Sequence, residues 1–182
     1  KIAGEKCYLS PFSYEDVELY AKWLNDLELG YYVGFGGQTT TLEKQRKTLE
    51  RFDSGSDQIY AIVDLATDTL IGNTGLHEIN HHDGTAVIGI FIGEKENWNK
   101  GYGTEAMSML LDYAFNILNL HNIMLNVFSY NERGIACYKK IGFKTIGRRR
   151  EAKKIFGKRY DEIKMDILAS DFHKNYIKNS FE

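Results

Sequence analysis

Cysteine is scarce in this chain: Cys7 and Cys137 are the only two in 182 residues. Two are too few for a disulfide framework or a cysteine-built zinc site, so no metal is expected. Their rarity fits a reducing compartment, and a cytoplasmic location is expected. Proline is scarcer still, with Pro11 alone. No repeat, low-complexity stretch or linker divides the chain. Excess positive charge is missing too: 23 Lys and Arg stand against 25 Asp and Glu, a net charge of −2. That balance argues against a nucleic-acid partner. No apolar run reaches membrane length and no signal-peptide pattern stands at the start, so no membrane partner is expected.

What remains is the composition of a globular domain, 43% hydrophobic and 26% charged. One domain over residues 6–168 is expected, followed by a polar tail over 169–182 with some helical character. The segment 6–12 reads as a strand ending at Pro11. Residues 13–26 read as a helix that starts at Ser13 and Asp16, with Val17, Tyr20, Ala21 and Leu24 as its apolar stripe. The glycine-rich, aromatic stretch 27–41 reads as a loop, too apolar to be a mere linker. A second helix is expected over 41–52, with Thr40 and Glu43 as its cap pair. Three strands follow at 58–64, 70–80 and 85–93, and their short connections imply antiparallel pairing. Ala106, Met107, Leu110, Leu111, Ala114 and Leu118 recur at helical spacing. Residues 121–128 form a further strand, 131–143 a short helix closed by Gly142, and a hairpin turns near Gly157. This order describes an α/β fold with a mixed, mainly antiparallel central sheet flanked by helices.

Two local patterns carry chemistry. The first is "WNKGYGTEA", where Gly101 and Gly103 stand between an apolar strand and a helix. A helix N-terminus offers unpaired N–H groups and a partial positive charge. Glycines in front of it let a phosphate reach those donors, and Lys100 adds a point charge. A plain turn accounts for the glycines equally well when they are taken alone. The second pattern puts Asn131 at a helix start and Tyr138 seven residues later. Seven residues are two turns, so the two side chains share a face about 10 Å apart along the axis. Taken singly, Asn131 also reads as an N-cap and Tyr138 as a core aromatic.

Together, "NWNKGYGTEA" (97–106), Asn131, Tyr138 and "GF" at 142–143 resemble the GNAT acetyltransferases. Within that family the likeness is to the ribosomal-protein and spermidine N-acetyltransferase-like group. It extends over roughly residues 6 to 168 and is far more specific for fold and cofactor than for substrate. The resemblance implies acetyl-CoA as cosubstrate, with its pyrophosphate on Asn99, Lys100, Gly101, Tyr102, Gly103 and Thr104. Trp98 stands where the family carries Gln or Arg, a departure tolerable in a loop that works through backbone N–H groups. The resemblance further implies that Phe91, Ile92 and Gly93 pair with the pantetheine arm and that Asn131 holds it. It makes Tyr138 the general acid beside the sulfur.

The chemistry agrees with those roles. An amine attacks the thioester carbonyl, the oxyanion needs a donor such as a strand N–H near Ile92, and a thiolate leaves. A thiol near 8.5 and a tyrosine near 10 differ by about 2 kcal/mol in water, a gap that burial of the thiol closes. The amine must be neutral to attack. His77 and Glu78 are the candidate bases, and as neighbours on a strand at most one faces the site. Both also read as surface residues. Cys137 is expected to point away from the Tyr138 face and to pack. The His81–His82 pair reads as a hairpin turn and Arg148–Arg150 as a solvated strand edge.

The expected reaction is direct acetyl transfer to a primary amine: first an α-amine of a protein or peptide, then a polyamine such as spermidine, then an aminoglycoside. Asp26, Glu28 and Glu43 are carboxylates that would suit a second cationic group, or stay solvated. A homo-oligomer is compatible with all of this. The rival from another class is a CoA-sensing module without catalysis.

Overall fold

The computed structural model describes residues 1–34 and 36–177. Phe35, inside the expected 27–41 loop, and 178–182, at the end of the expected tail, lie outside the described residues. One eight-stranded sheet organises the chain. Its strands are β1 (Ile2–Ala3), β2 (Cys7–Pro11), β3 (Gln58–Asp64), β4 (Leu70–Asn80), β5 (Thr85–Ile92), β6 (Asn122–Phe128), β7 (Lys144–Ile155) and β8 (Lys158–Leu168). They lie in the order β1-β2-β3-β4-β5-β6-β8-β7. All neighbours pair antiparallel except β5 and β6, which run parallel.

That parallel pair creates the site. Its register runs only from Thr85↔Asn122 to Val87↔Met124. Beyond it, β5 stays bonded to β4 as far as Ile92, and β6 stays bonded to β8 as far as Phe128. Each strand keeps its outer neighbour while the two inner edges part, leaving an open wedge in the middle of the sheet.

Helices cover both faces. Helix α4 (Tyr102–Asn116) connects β5 to β6 and buries Ala106, Met107, Leu110, Leu111 and Ala114 completely. They pack with Leu9, Ile62, Leu76, Ile88 and Ile123 in the main core, joined by Ile90 and Ile92. On the opposite face, α1 (Val17–Leu24), α2 (Leu27–Tyr32) and α3 (Leu42–Ser54) enclose a smaller core of Val17, Tyr20, Trp23, Leu29 and Leu49. Phe91 joins that second cluster, as strand alternation requires of a residue between Ile90 and Ile92. Helix α5 (Glu132–Ile141) precedes β7 and ends at Gly142, whose φ of +123° only glycine adopts easily.

Two sequence expectations need correction, and a third gains detail. The stretch 27–41 is not loop throughout: Leu27–Tyr32 is helical, because Asp26 caps it by accepting the Leu29 N–H at 2.9 Å. Helix α3 is capped by Thr41, which accepts the Lys44 N–H at 3.2 Å, and not by the Thr40–Glu43 pair. The expected 169–182 tail packs back on the domain as far as Ile177. Phe172 packs on Phe115 with ring centroids 5.6 Å apart. The buried Asp112 carboxylate accepts the Tyr176 and Ile177 N–H groups.

Candidate active site

The wedge opens into two cavities that meet. The first, about 660 Å³, is lined by Asn97 to Thr104, by Ile90 to Ile92, by Asn131 and by Arg133, Gly134, Cys137, Tyr138 and Lys140 of α5. Gly101 precedes α4 with φ +92°, and Asn99 is also left-handed at φ +60°. The first bond within α4 is Glu105 N–H to the Gly101 carbonyl, at 3.0 Å. The N–H groups of Tyr102, Gly103 and Thr104 therefore remain for a ligand. A Cβ on Gly103 would meet nothing nearer than Ile90 Cδ1 at 3.8 Å, so the space in front of it is open. Lys6, Lys100, Arg133 and Lys140 line this cavity, with no carboxylate among its lining residues. Lys6 lies against Gly101, within 3.5 Å of the position of a Cβ. It comes from β2's approach, remote in sequence, and no local pattern points to it.

Several expected residues have second duties. The Tyr102 hydroxyl donates to Asp64, which pushes its own pKa up to about 12, so only its backbone serves the loop. The Trp98 indole N–H donates to the Ile92 carbonyl at 2.9 Å. The Arg133 guanidinium lies over the Trp98 ring at 3.6 Å, and the Tyr32 ring meets it edge-on at 5.7 Å. Where the resemblance implied a polar side chain, this chain has built an aromatic platform.

Along β5, the Gly93 N–H donates to the Ile71 carbonyl at 2.8 Å, toward β4. By strand alternation the Phe91 N–H faces β4 as well, and the Ile90 and Ile92 N–H groups face the wedge. Gly93 itself does not line the cavity. A Cβ there would fall 2.0 Å from the Trp23 ring, so this glycine makes room for Trp23 and not for a ligand. Its expected place in a pantetheine pairing is corrected accordingly.

On α5, Asn131 caps the helix through Oδ1, which accepts the Gly134 N–H at 2.9 Å. Tyr138 packs edge-on against Phe143 at 6.1 Å. Burial, with Cys137 adding to it and Arg133 opposing, holds the Tyr138 hydroxyl well above the ordinary tyrosine range. Cys137 does not point away as expected. Its Sγ lies 3.2 Å from Thr104 Oγ1 and it lines the first cavity beside Tyr138. Burial raises its pKa, which keeps it a thiol rather than a thiolate nucleophile.

The second cavity, about 560 Å³, lies toward α3. Lys44, Gln45, Thr48, Arg51 and Phe52 form one wall, and Asn73, Gly75 and His77 of β4 another. Tyr32, Val33, Ile90, Phe91, Asn131 and Tyr138 line both cavities. Of the two candidate bases, His77 reaches this cavity and Glu78 does not. A bulge between His77 and Asn80 leaves Glu78 exposed with φ +51°, which corrects its expected place in the site. His77 Nδ1 lies 2.9 Å from Asp57 Oδ2. With the carboxylate accepting from Nδ1–H, Nε2 is the basic nitrogen. It lies across Gly89, 3.6 Å from where a Cβ would stand. The carboxylates of Asp26 and Glu28 are both held by Lys95 at 2.9 Å, and Glu43 pairs with Lys47 at 3.2 Å; none of them lines either cavity.

A splayed parallel pair with a glycine-led helix N-terminus at its mouth suits a transferase that draws on an acyl-CoA donor. Comparison with known proteins agrees. Residues 6–144 match the acetyltransferase (GNAT) domain family. The chain belongs to the GNAT acetyltransferases and is an acetyl-CoA-dependent N-acetyltransferase. It is 26% identical over 172 residues to the uncharacterized N-acetyltransferase p20 of Bacillus licheniformis, covering 92% of this chain and 96% of that protein. It is 36% identical over 111 residues to a spermidine N(1)-acetyltransferase of Vibrio cholerae, covering 61% of this chain and 64% of that protein. The structure of Vibrio cholerae spermidine N-acetyltransferase in complex with CoA and spermine superposes with a TM-score of 0.83 at 26% identity. It covers 92% of this chain and 98% of that one.

The first cavity suits CoA on its own chemistry. Four cations without a carboxylate oppose the ligand's phosphates, and the open approach to Gly103 gives a pyrophosphate access to the α4 N–H groups. No helix among the described residues is long and apolar enough to cross a membrane.

Proposed function

We propose that the first cavity holds the donor, the second holds the amine, and transfer takes place where they meet. The observation that carries this reading is the shared wall, with Tyr138 and Asn131 on both sides of the junction. Bound acetyl-CoA supplies an activated thioester. Wedge-facing N–H groups of Ile90 and Ile92 are placed to donate to the donor arm and to its carbonyl oxygen. Tyr138 keeps its proton over the working pH range; the same burial makes it a weaker acid than free tyrosine, so it serves the departing sulfur as a hydrogen-bond donor and gives up its proton only as far as burial raises the thiol alike. His77 Nε2, oriented by Asp57, accepts the proton that the amine loses, directly or through water. This role passes to His77 from Glu78.

The acceptor we favour is an α-amine of a peptide or protein. Such an amine, with a pKa near 8, is already partly neutral at pH 7, whereas a polyamine nitrogen near 10.4 costs about 4.6 kcal/mol to deprotonate. The polyamine reading draws on the spermidine acetyltransferase relatives. Against it stands the second cavity, whose lining contains no carboxylate to take the remaining positive charges. A panel of peptides, polyamines and aminoglycosides, followed by thiol release from acetyl-CoA across pH, decides between them. For an α-amine, kcat/KM rises and levels off near pH 8. Robust spermidine turnover with a profile still climbing beyond about pH 9 overturns the α-amine reading.

A further inference from the structure

The acceptor cavity has a charge of its own. The chain has more acidic than basic residues, 25 against 23, yet none of the 24 residues lining this cavity is Asp or Glu. Lys44 and Arg51 line it, two turns apart on one face of α3, with Thr48 between them. Neither is in an ion pair among the described residues; the Lys44 ammonium reaches only the Thr39 carbonyl, at 3.3 Å. This is unlike the α3 partner Lys47, which is paired with Glu43.

Arg51 is also tied to the chemistry. Its guanidinium lies 5.4 Å from the Phe52 ring centroid, and that ring lies 5.9 Å from the His77 ring. The guanidinium, the aromatic ring and the imidazole thus form one run along the cavity wall, ending at the Nε2 over Gly89. Gln45 belongs to the same wall and is only 5% exposed. It offers a neutral donor and acceptor beside the two cations. A polycation entering here meets two cations on the α3 wall and no lining carboxylate to offset them.

Building on the reading that the second cavity holds the amine, we propose that the acceptor carries an anionic group, a carboxylate or a phosphate, on the same molecule as its amine. Arg51 is the principal anchor for that group and Lys44 the secondary one. Arg51 supplies a planar fork suited to either anion, and Lys44 a point charge at the other end of the same face. The amine is then delivered toward His77 and Tyr138 with its orientation fixed by the far end of the molecule. The specificity is two-sided: an anion is attracted, and a polyamine is repelled.

The test is binding, by calorimetry, to protein saturated with CoA, using pairs that share one α-amine. The carboxylate arm compares Ala-Asp-amide with Ala-Asn-amide, and alanine with alaninamide after correction for neutral amine. The phosphate arm compares Ala-phosphoserine-amide with Ala-Ser-amide, and spermidine is the polycation. The anionic member of at least one pair binds about tenfold tighter, the worth of one charged hydrogen bond. Arg51→Gln brings that pair to within about twofold, Lys44→Gln removes less, and added salt narrows the preference. Equal binding within every pair overturns the proposal, as does a preference that survives Arg51→Gln or a cavity that takes spermidine best. Thiol release from acetyl-CoA, measured on the same compounds, keeps the two readings apart. Anionic peptides that bind without being acetylated sink the assignment of this cavity as the amine site but leave the anion subsite standing. Neutral and polycationic amines acetylated with no anionic preference do the reverse.

Discussion

The half of the cleft proposed for the donor and the half proposed for the amine are built by different means. The donor half is mostly backbone: N–H groups at the start of α4 and along the free edge of β5, made accessible by glycine and by the parting of two strands. The acceptor half is made of side chains from α3, β4 and β6. Backbone donors recognise what every donor molecule shares, so one local pattern serves. Side-chain walls can change residue by residue without disturbing the sheet. The contrast explains why donor and fold are legible in a family likeness while the amine is not.

The sharpest blow to this two-part cleft falls at the junction. Tyr138→Phe should lower kcat by about 10²–10⁴-fold with acetyl-CoA affinity nearly unchanged, the split expected of a group that acts only on the leaving sulfur. Because the Tyr138 pKa is raised, its acid form persists as pH rises, so kcat in the native enzyme should show no fall from its deprotonation up to about pH 10. Steady-state kinetics with thiol detection measures both.

A change confined to the donor half comes next. Gly103→Val has room within the protein but fills the approach to the α4 N–H groups. Its acetyl-CoA dissociation constant should rise about a hundredfold, the cost of two charged hydrogen bonds, in a protein that still folds. Calorimetry reads this directly, and an unchanged affinity removes the phosphate-loop assignment.

On the acceptor side, His77→Gln should lower kcat/KM by about 10- to 100-fold, with Glu78→Gln close to the native value. Asp57→Asn, which disturbs the orientation of the imidazole, should shift the pH profile rather than only scale it. If Glu78→Gln carries the larger loss, the base has been placed on the wrong neighbour.

The smallest expected effect is on stability. Burial pushes the Glu105 pKa up, but N–H donors from Glu5, Lys6 and Cys7 and the Cys7 thiol outweigh it, and the net shift is downward. A carboxylate with a lowered folded pKa stabilises above its ordinary value near 4.3, and that contribution fades as pH falls through the folded value. Glu105→Gln should therefore cost about 1–2 kcal/mol at neutral pH and little in acid, by denaturant unfolding at two pH values.

The sequence itself carried the periodic elements: the strands at 58–64, 70–80 and 85–93 and the α4 stripe appear within a residue or two of their expected bounds. It carried Asn131 at a helix start and Tyr138 two turns on. It did not carry what depends on contacts distant along the chain. Lys6 meets Gly101 only through folding, and Gly93 is glycine because Trp23 needs the space. The bulge after His77 leaves His77 on the second cavity and Glu78 outside it, a choice that alternation alone could not make. The wall of the second cavity was opaque for the same reason: nothing local marks Lys44 and Arg51, which stay exposed on α3 and line a cavity only because β4 and β6 stand opposite them.

In the proposed reaction acetyl passes directly from donor to amine where the two cavities meet, with both molecules bound at once. The most direct test varies acetyl-CoA and amine together and inspects the protein by intact mass after exposure to acetyl-CoA alone. Direct transfer gives initial-rate lines that intersect, no acetylated protein, and a Cys137→Ala variant that retains transfer. Parallel lines, with an acetyl group found on Cys137 and turnover lost in Cys137→Ala, would contradict it.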